Sequence, residues 1–296
     1  MPFLTVAKRG VLARSQPVPT DIFHYILGFC DARDLVRISQ VARVCYDDVR
    51  AHVARRVTAI LQRFVQDPTD LQQCMKSCDA VLTGTAALHV VMGFNDMEWY
   101  PSKLCFAVPE HFARWFVGHL GTAGYHAESG IGIPATHRRG VVAQYTTLYH
   151  ARHGARIDVI TSKTPFAFDA VLAQPITALQ NFVSHNTVCV LYPMYTLNYD
   201  VVVRDVPDKY VLFDIRQLRA YGFRVNNSNH FLRAGCGAGC TLAYRSFTCP
   251  AHCVLSWDIA NAGPRTFDDI PIPKDAEWRF DITCSNIFCD RRGICF

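Results

Sequence analysis

Short apolar runs limit what this chain can become. Leu104-Cys105-Phe106-Ala107-Val108 reads as a strand closed by Pro109, and Arg156-Ile157-Asp158-Val159-Ile160 reads as a second strand holding one acid among apolar residues. Ahead of both, Ala80-Val81-Leu82-Thr83 is a short strand running into a Gly84-Thr85 turn. The helix after that turn ends at Gly93, a residue suited to a left-handed helix stop. Strands and helices alternate without the even βαβ repeat of a parallel sheet, so the expected fold class is α+β.

The same reading extends along the chain. Leu71 to Asp79 reads as helix, as does Phe112 to Leu120 with Gly121 as its cap. Val141–Tyr149 and Arg156–Thr161 form a strand pair turning at His153-Gly154, and the polar, glycine-rich stretch 126–140 before them reads as a loop. Helical segments are expected over Pro165–Phe182, strands over Val188–Tyr192 and Val201–Val203, and a helix over Tyr210–Tyr221. Asp67-Pro68-Thr69-Asp70 is a helix-start signal and the natural junction between two parts of the chain. The expected organisation is a flexible tail (1–16), a helical domain (17–66), a mixed-sheet domain (67–235) and a cysteine-rich extension packing on it (236–296).

The middle region resembles the nucleotidyltransferase fold as it occurs in a group of fungal F-box-associated proteins. The anchors are Gly84-Thr85-Ala86-Ala87-Leu88, Trp99-x-Pro101, Val108-Pro109, Gly124-Tyr125, Ile157-Asp158-Val159-Ile160 and Leu191-Tyr192-Pro193. In that group the strand after Trp-x-Pro carries two alternating acids. Counting from Trp99, and back from Pro109, puts Lys103 and Cys105 in those seats. Residues at i and i+2 of a strand share a face, which is how paired carboxylates reach a pair of magnesium ions. Lysine has no acceptor and cysteine is a soft ligand, so of the three acids only Asp158 remains. The resemblance therefore implies a scaffold without its catalytic metal site: no catalytic residue, magnesium unlikely, and degenerate positions Lys103, Cys105 and Asp158. The Lys103 ammonium could stand in for the lost cation and neutralise Asp158. Gly84 and Thr85 would be the phosphate-contacting turn of an active relative, a weak nucleotide-binding candidate here. Asp96 and Glu98 are the nearest substitute acids if the chain is instead a magnesium-dependent nucleotidyltransferase with a rearranged acidic site.

The N-terminal part resembles an F-box. Val18-Pro19-Thr20-Asp21-Ile22, Ile26-Leu27, Asp34-Leu35 and Val41-Ala42-Arg43-Val44-Cys45-Tyr46 fill the places of that motif. The spacing predicts three helices, the second continuing through Val41 and Val44 into Cys45-Tyr46, and the third running through Val53, Val57, Ile60, Leu61 and Phe64. The resemblance implies docking of Val18, Pro19, Ile22, Ile26, Leu27 and Leu35 onto a Skp-type adaptor of a cullin ubiquitin ligase. An unknown protein client would bind elsewhere.

Composition narrows the remaining classes. No apolar run approaches the roughly 18 residues that span a bilayer. A formal net charge of +5 with scattered basic residues makes a nucleic-acid partner unlikely. The thirteen cysteines suit a reducing compartment, and the expected setting is cytoplasmic or nuclear. Cys74 and Cys78, four apart, share a helix face and read as packing residues. Cys236, Cys240, Cys249 and Cys253 have zinc-ligand spacing, with His252 as a substitute, and are the candidate zinc set; no other cofactor is expected.

Overall fold

The computed structural model describes residues 18–93, 100–128, 140–204, 209–226, 245–246, 253–256 and 276–280. Its first helices are α1 (Thr20–Gly28), α2 (Ala32–Ser39) and α3 (Arg43–Leu61). Asp31 caps α2 by accepting the Asp34 amide at 3.0 Å. Helix α2 stops earlier than its apolar spacing predicts. Ala42 is extended and α3 begins at Arg43, while Val41 and Val44, 47% and 70% exposed, keep the period with no core to face.

Helix α4 (Pro68–Ser77) starts where expected, because Asp67 accepts the amides of Thr69 and Asp70 and Pro68 needs no hydrogen bond at that position. The next elements are β1 (Val81–Thr83), α5 (Gly84–Met92), β2 (Lys103–Pro109), α6 (Glu110–Thr122), β3 (Tyr125–Ala127), β4 (Val142–His150) and β5 (Arg156–Ser162). Helix α6 runs through the expected stop at Gly121. The left-handed residue after it is Gly124, at φ 89°. Then come α7 (Ala167–Leu172), a 3-10 turn (Thr177–Gln180), β6 (Phe182–Val183), β7 (Thr187–Val190), α8 (Pro193–Thr196), β8 (Asp200–Val202), α9 (Lys209–Ala220) and β9 (Arg224–Asn226). The short strands β10 (Arg245–Ser246), β11 (Cys253–Ser256) and β12 (Glu277–Trp278) complete the set.

An eight-stranded sheet, ordered β11-β7-β6-β1-β2-β5-β4-β3, organises the molecule. Its central pair β2–β5 is parallel and its other pairs are antiparallel, so the fold is mixed α+β. Alternation along β2 divides the core. Leu104, Phe106 and Val108 join one buried cluster with residues of α1 to α6, whereas Cys105 and Ala107 join a second with α7, Trp278 and Phe280. The first cluster crosses position 66 without interruption, since Leu27, Leu35, Val53 and Val57 belong to it together with Leu71, Val91 and Leu104.

One cation fastens helix ends together. Arg56 of α3 directs Nη2 to the carbonyls of Leu27 (2.7 Å), Gly28 (3.2 Å) and Cys30 (2.9 Å), at the end of α1, and Nη1 to that of Val90 (3.4 Å), near the end of α5. Helix C-termini present unsatisfied carbonyls and partial negative charge, which is what a guanidinium can serve. Gly93 closes against it at φ 69°; a Cβ there would stand 2.6 Å from the Arg56 nitrogens and 2.7 Å from the Cys30 carbonyl. No helix among the described residues is long and apolar enough to cross a membrane.

Candidate functional site: a buried aspartate between two cations

The parallel register of β2 and β5 pairs Lys103 with Arg156 and Cys105 with Asp158. These four residues therefore share one face at the start of both strands. Lys103 Nζ meets Asp158 Oδ2 at 2.7 Å, so the ammonium does reach the carboxylate.

Asp158 is fully buried and accepts five hydrogen bonds. Arg156 clasps it with a fork, Nε to Oδ1 at 2.8 Å and Nη2 to Oδ2 at 3.0 Å. From β4, the neighbouring strand, Thr147 donates to Oδ1 at 2.9 Å and Tyr145 to Oδ2 at 2.7 Å. Such a carboxylate has little acceptor capacity left for a metal ion.

Electrostatics follows from this packing. Burial alone would raise the Asp158 carboxyl, but the Lys103 charge and the hydrogen bonds from Arg156 outweigh it and hold its pKa below the ordinary value. Burial would likewise lower Lys103, yet Asp158, helped by Asp214 on α9, keeps its pKa above the usual lysine value. Cys105 is pushed up to about 12, first by burial and then by the Asp158 charge. It is a neutral thiol at physiological pH, neither a nucleophile nor a ready ligand. Tyr145 is pushed well above 10.0 by burial and the acids around it, so it stays a donor.

The pH dependence of stability has a defined sign. A depressed Asp158 stabilises the fold above the ordinary carboxylate range near pH 3.9, and that contribution disappears as pH falls through its folded pKa. A raised Lys103 stabilises below about pH 10.4 and ceases to do so as pH rises through its folded pKa. His52 and His89, both lowered to about 4 chiefly by burial, add a separate loss as pH falls from about 6.5 to 4, where the unfolded chain takes up protons that the folded chain refuses. Urea midpoints are therefore expected to be highest between about pH 7 and 9. His52→Gln should flatten the slope between pH 6.5 and 4, and an unchanged slope would contradict this account.

The Gly84-Thr85 turn sits beside this cluster. Gly84 opens α5 at φ 71°, and a Cβ there would lie 3.4 Å from the Cβ of Cys105. Thr83, at the cap position, does not cap the helix; its hydroxyl lies 2.9 Å from the carbonyls of both Leu179 and Asn181 and accepts from Gln174 at 2.6 Å. Both Gly84 and Thr85 are buried.

The N-terminal helices show a different surface. Ile22 (49% exposed), Tyr25 (70%), Ile26 (45%) and Phe29 (65%) recur at i, i+3, i+4 and i+7 along α1 and its last turn, preceded by exposed Val18 and Pro19. The expectation that Leu27 and Leu35 face a partner is corrected. They are 0% and 1% exposed, on the inner sides of α1 and α2, and belong to the chain's own core. Tyr25 and Phe29 replace them on the outer side.

Several candidates lie elsewhere. Asp96, Glu98, Cys236, Cys240, Cys249 and His252 fall outside the described residues, and Cys253 is described only as the first residue of β11. Among the described residues no three His, Cys, Asp or Glu side chains gather closely enough to hold a metal ion. Cys74 and Cys78 are buried with their sulfurs 3.9 Å apart. Sequence reasoning missed Arg156, Tyr145, Thr147 and Asp214. The available signal was period-two spacing, since Arg156 lies two residues before Asp158 and Tyr145 two before Thr147.

No protein-family model, curated protein or solved structure matches the chain.

Proposed function

We propose that this protein is a non-catalytic adaptor. Its N-terminal F-box-like helices dock on a Skp-type adaptor of a cullin ubiquitin ligase, and its nucleotidyltransferase-like domain offers the surface for a protein client, in the cytoplasm or nucleus. The observation that carries this reading is the apolar stripe Ile22, Tyr25, Ile26 and Phe29, which α1 leaves in solvent while its other side joins the core. A helix with an exposed stripe at that spacing suits burial in a partner's groove. The filled seat at Asp158 supports the non-catalytic half, because Lys103 and Arg156 occupy the carboxylate that a metal pair would need.

Co-purification with a Skp-type adaptor tests the docking. Ile22→Asp combined with Ile26→Asp should weaken the complex at least tenfold, as removal of central apolar anchors does. The same change should cost the isolated chain little stability, since neither side chain is buried. A complex of unchanged affinity, or absent already in the parent chain, would sink the docking reading.

The second reading, a magnesium-dependent nucleotidyltransferase with a rearranged acidic site, has one observation in its favour. The charge of Asp214 on α9 acts on Lys103 and Cys105, so one further acid bears on the surroundings of Asp158. Under this reading Lys103 must withdraw before a metal can enter, and Lys103→Met should then strengthen magnesium-dependent nucleotide binding. Under the adaptor reading it should cost only about 1–2 kcal/mol of stability, because Asp158 keeps the Arg156 fork and two hydroxyl donors.

A further inference from the structure

We draw no further inference here: the strongest candidate, the groove of about 640 Å³ between the end of α3, the start of α4, the end of α6 and the β4–β5 turn, joins the cations Arg63 and Arg152 and four histidines to Asp67, Asp70 and two helix C-termini, and nothing in the structure says which sign of charge, and so which ligand, it takes.

Discussion

Asp158→Asn is expected to destabilise the protein by about 3–5 kcal/mol, the range seen when one member of a buried ion pair is removed. The substitution keeps the side chain's shape and deletes only its charge. Lys103 and Arg156, with side chains 21% and 28% exposed, would then face each other across an amide that cannot neutralise them. Tyr145 and Thr147 would compete for one remaining carbonyl oxygen where two oxygens serve them now. Over a chain of 296 residues this corresponds to a fall in melting temperature of roughly 10 °C. Thermal and urea unfolding would measure it. A loss below about 1 kcal/mol would show that water already screens the cations and that the aspartate is not their main counter-charge. Lys103→Met is the paired control: it removes one cation and leaves Asp158 satisfied, so it should cost clearly less than Asp158→Asn.

Arg56→Met should be comparably harmful, at about 3 kcal/mol. Methionine retains most of the apolar stem but removes every donor. The carbonyls of Leu27, Gly28 and Cys30 at the end of α1, and of Val90 in α5, would lose their shared partner. Gly93 lies against the guanidinium, so removal of that group opens a gap beside those carbonyls. Burial already lowers the Arg56 pKa to about 10, against the opposing effect of Cys30 and Asp31, so the charge is held at a cost that the carbonyls help to offset. Hydrogen exchange distinguishes this from a general loss of packing. Amide protection should fall first in α1 and at the end of α5, with the β2–β5 pair less affected. Uniform loss across the sheet would contradict a local fastening role.

Much of the central site is legible in the sequence, and the reason is geometric. Strand side chains alternate with a period of two, so Lys103 and Cys105 share a face by spacing alone; that Asp158 joins them is what the resemblance implied, and it depends on the parallel register that sets Cys105 opposite Asp158. The other ligands of Asp158 depend on a third strand. Tyr145 and Thr147 reach it because β4 pairs with β5 so that Thr147 lies opposite Asp158, a register that spacing along either strand alone does not fix. Helix α1 was ambiguous for another reason. It is apolar on both sides, and spacing alone cannot say whether Leu27 or Ile26 turns inward. The answer comes from α3, which buries Val49, Val53 and Val57 in the same cluster as Leu27 and Leu35. Arg56 reads in sequence as an ordinary surface cation of a helix, since its acceptors come from chain segments that meet only in the folded molecule.

The chain's own cations, Lys103 and Arg156, fill the acceptor sites of Asp158 that a metal ion would use. Calorimetric titration of magnesium and a nucleoside triphosphate into the folded, unmodified protein probes this most directly. The expected result is no magnesium-dependent nucleotide binding at millimolar metal, in a sample whose Asp158→Asn variant shows the predicted loss of stability. Saturable, stoichiometric nucleotide binding that requires magnesium would contradict the account, because it would mean that the Lys103–Asp158 contact yields to a metal in the working protein.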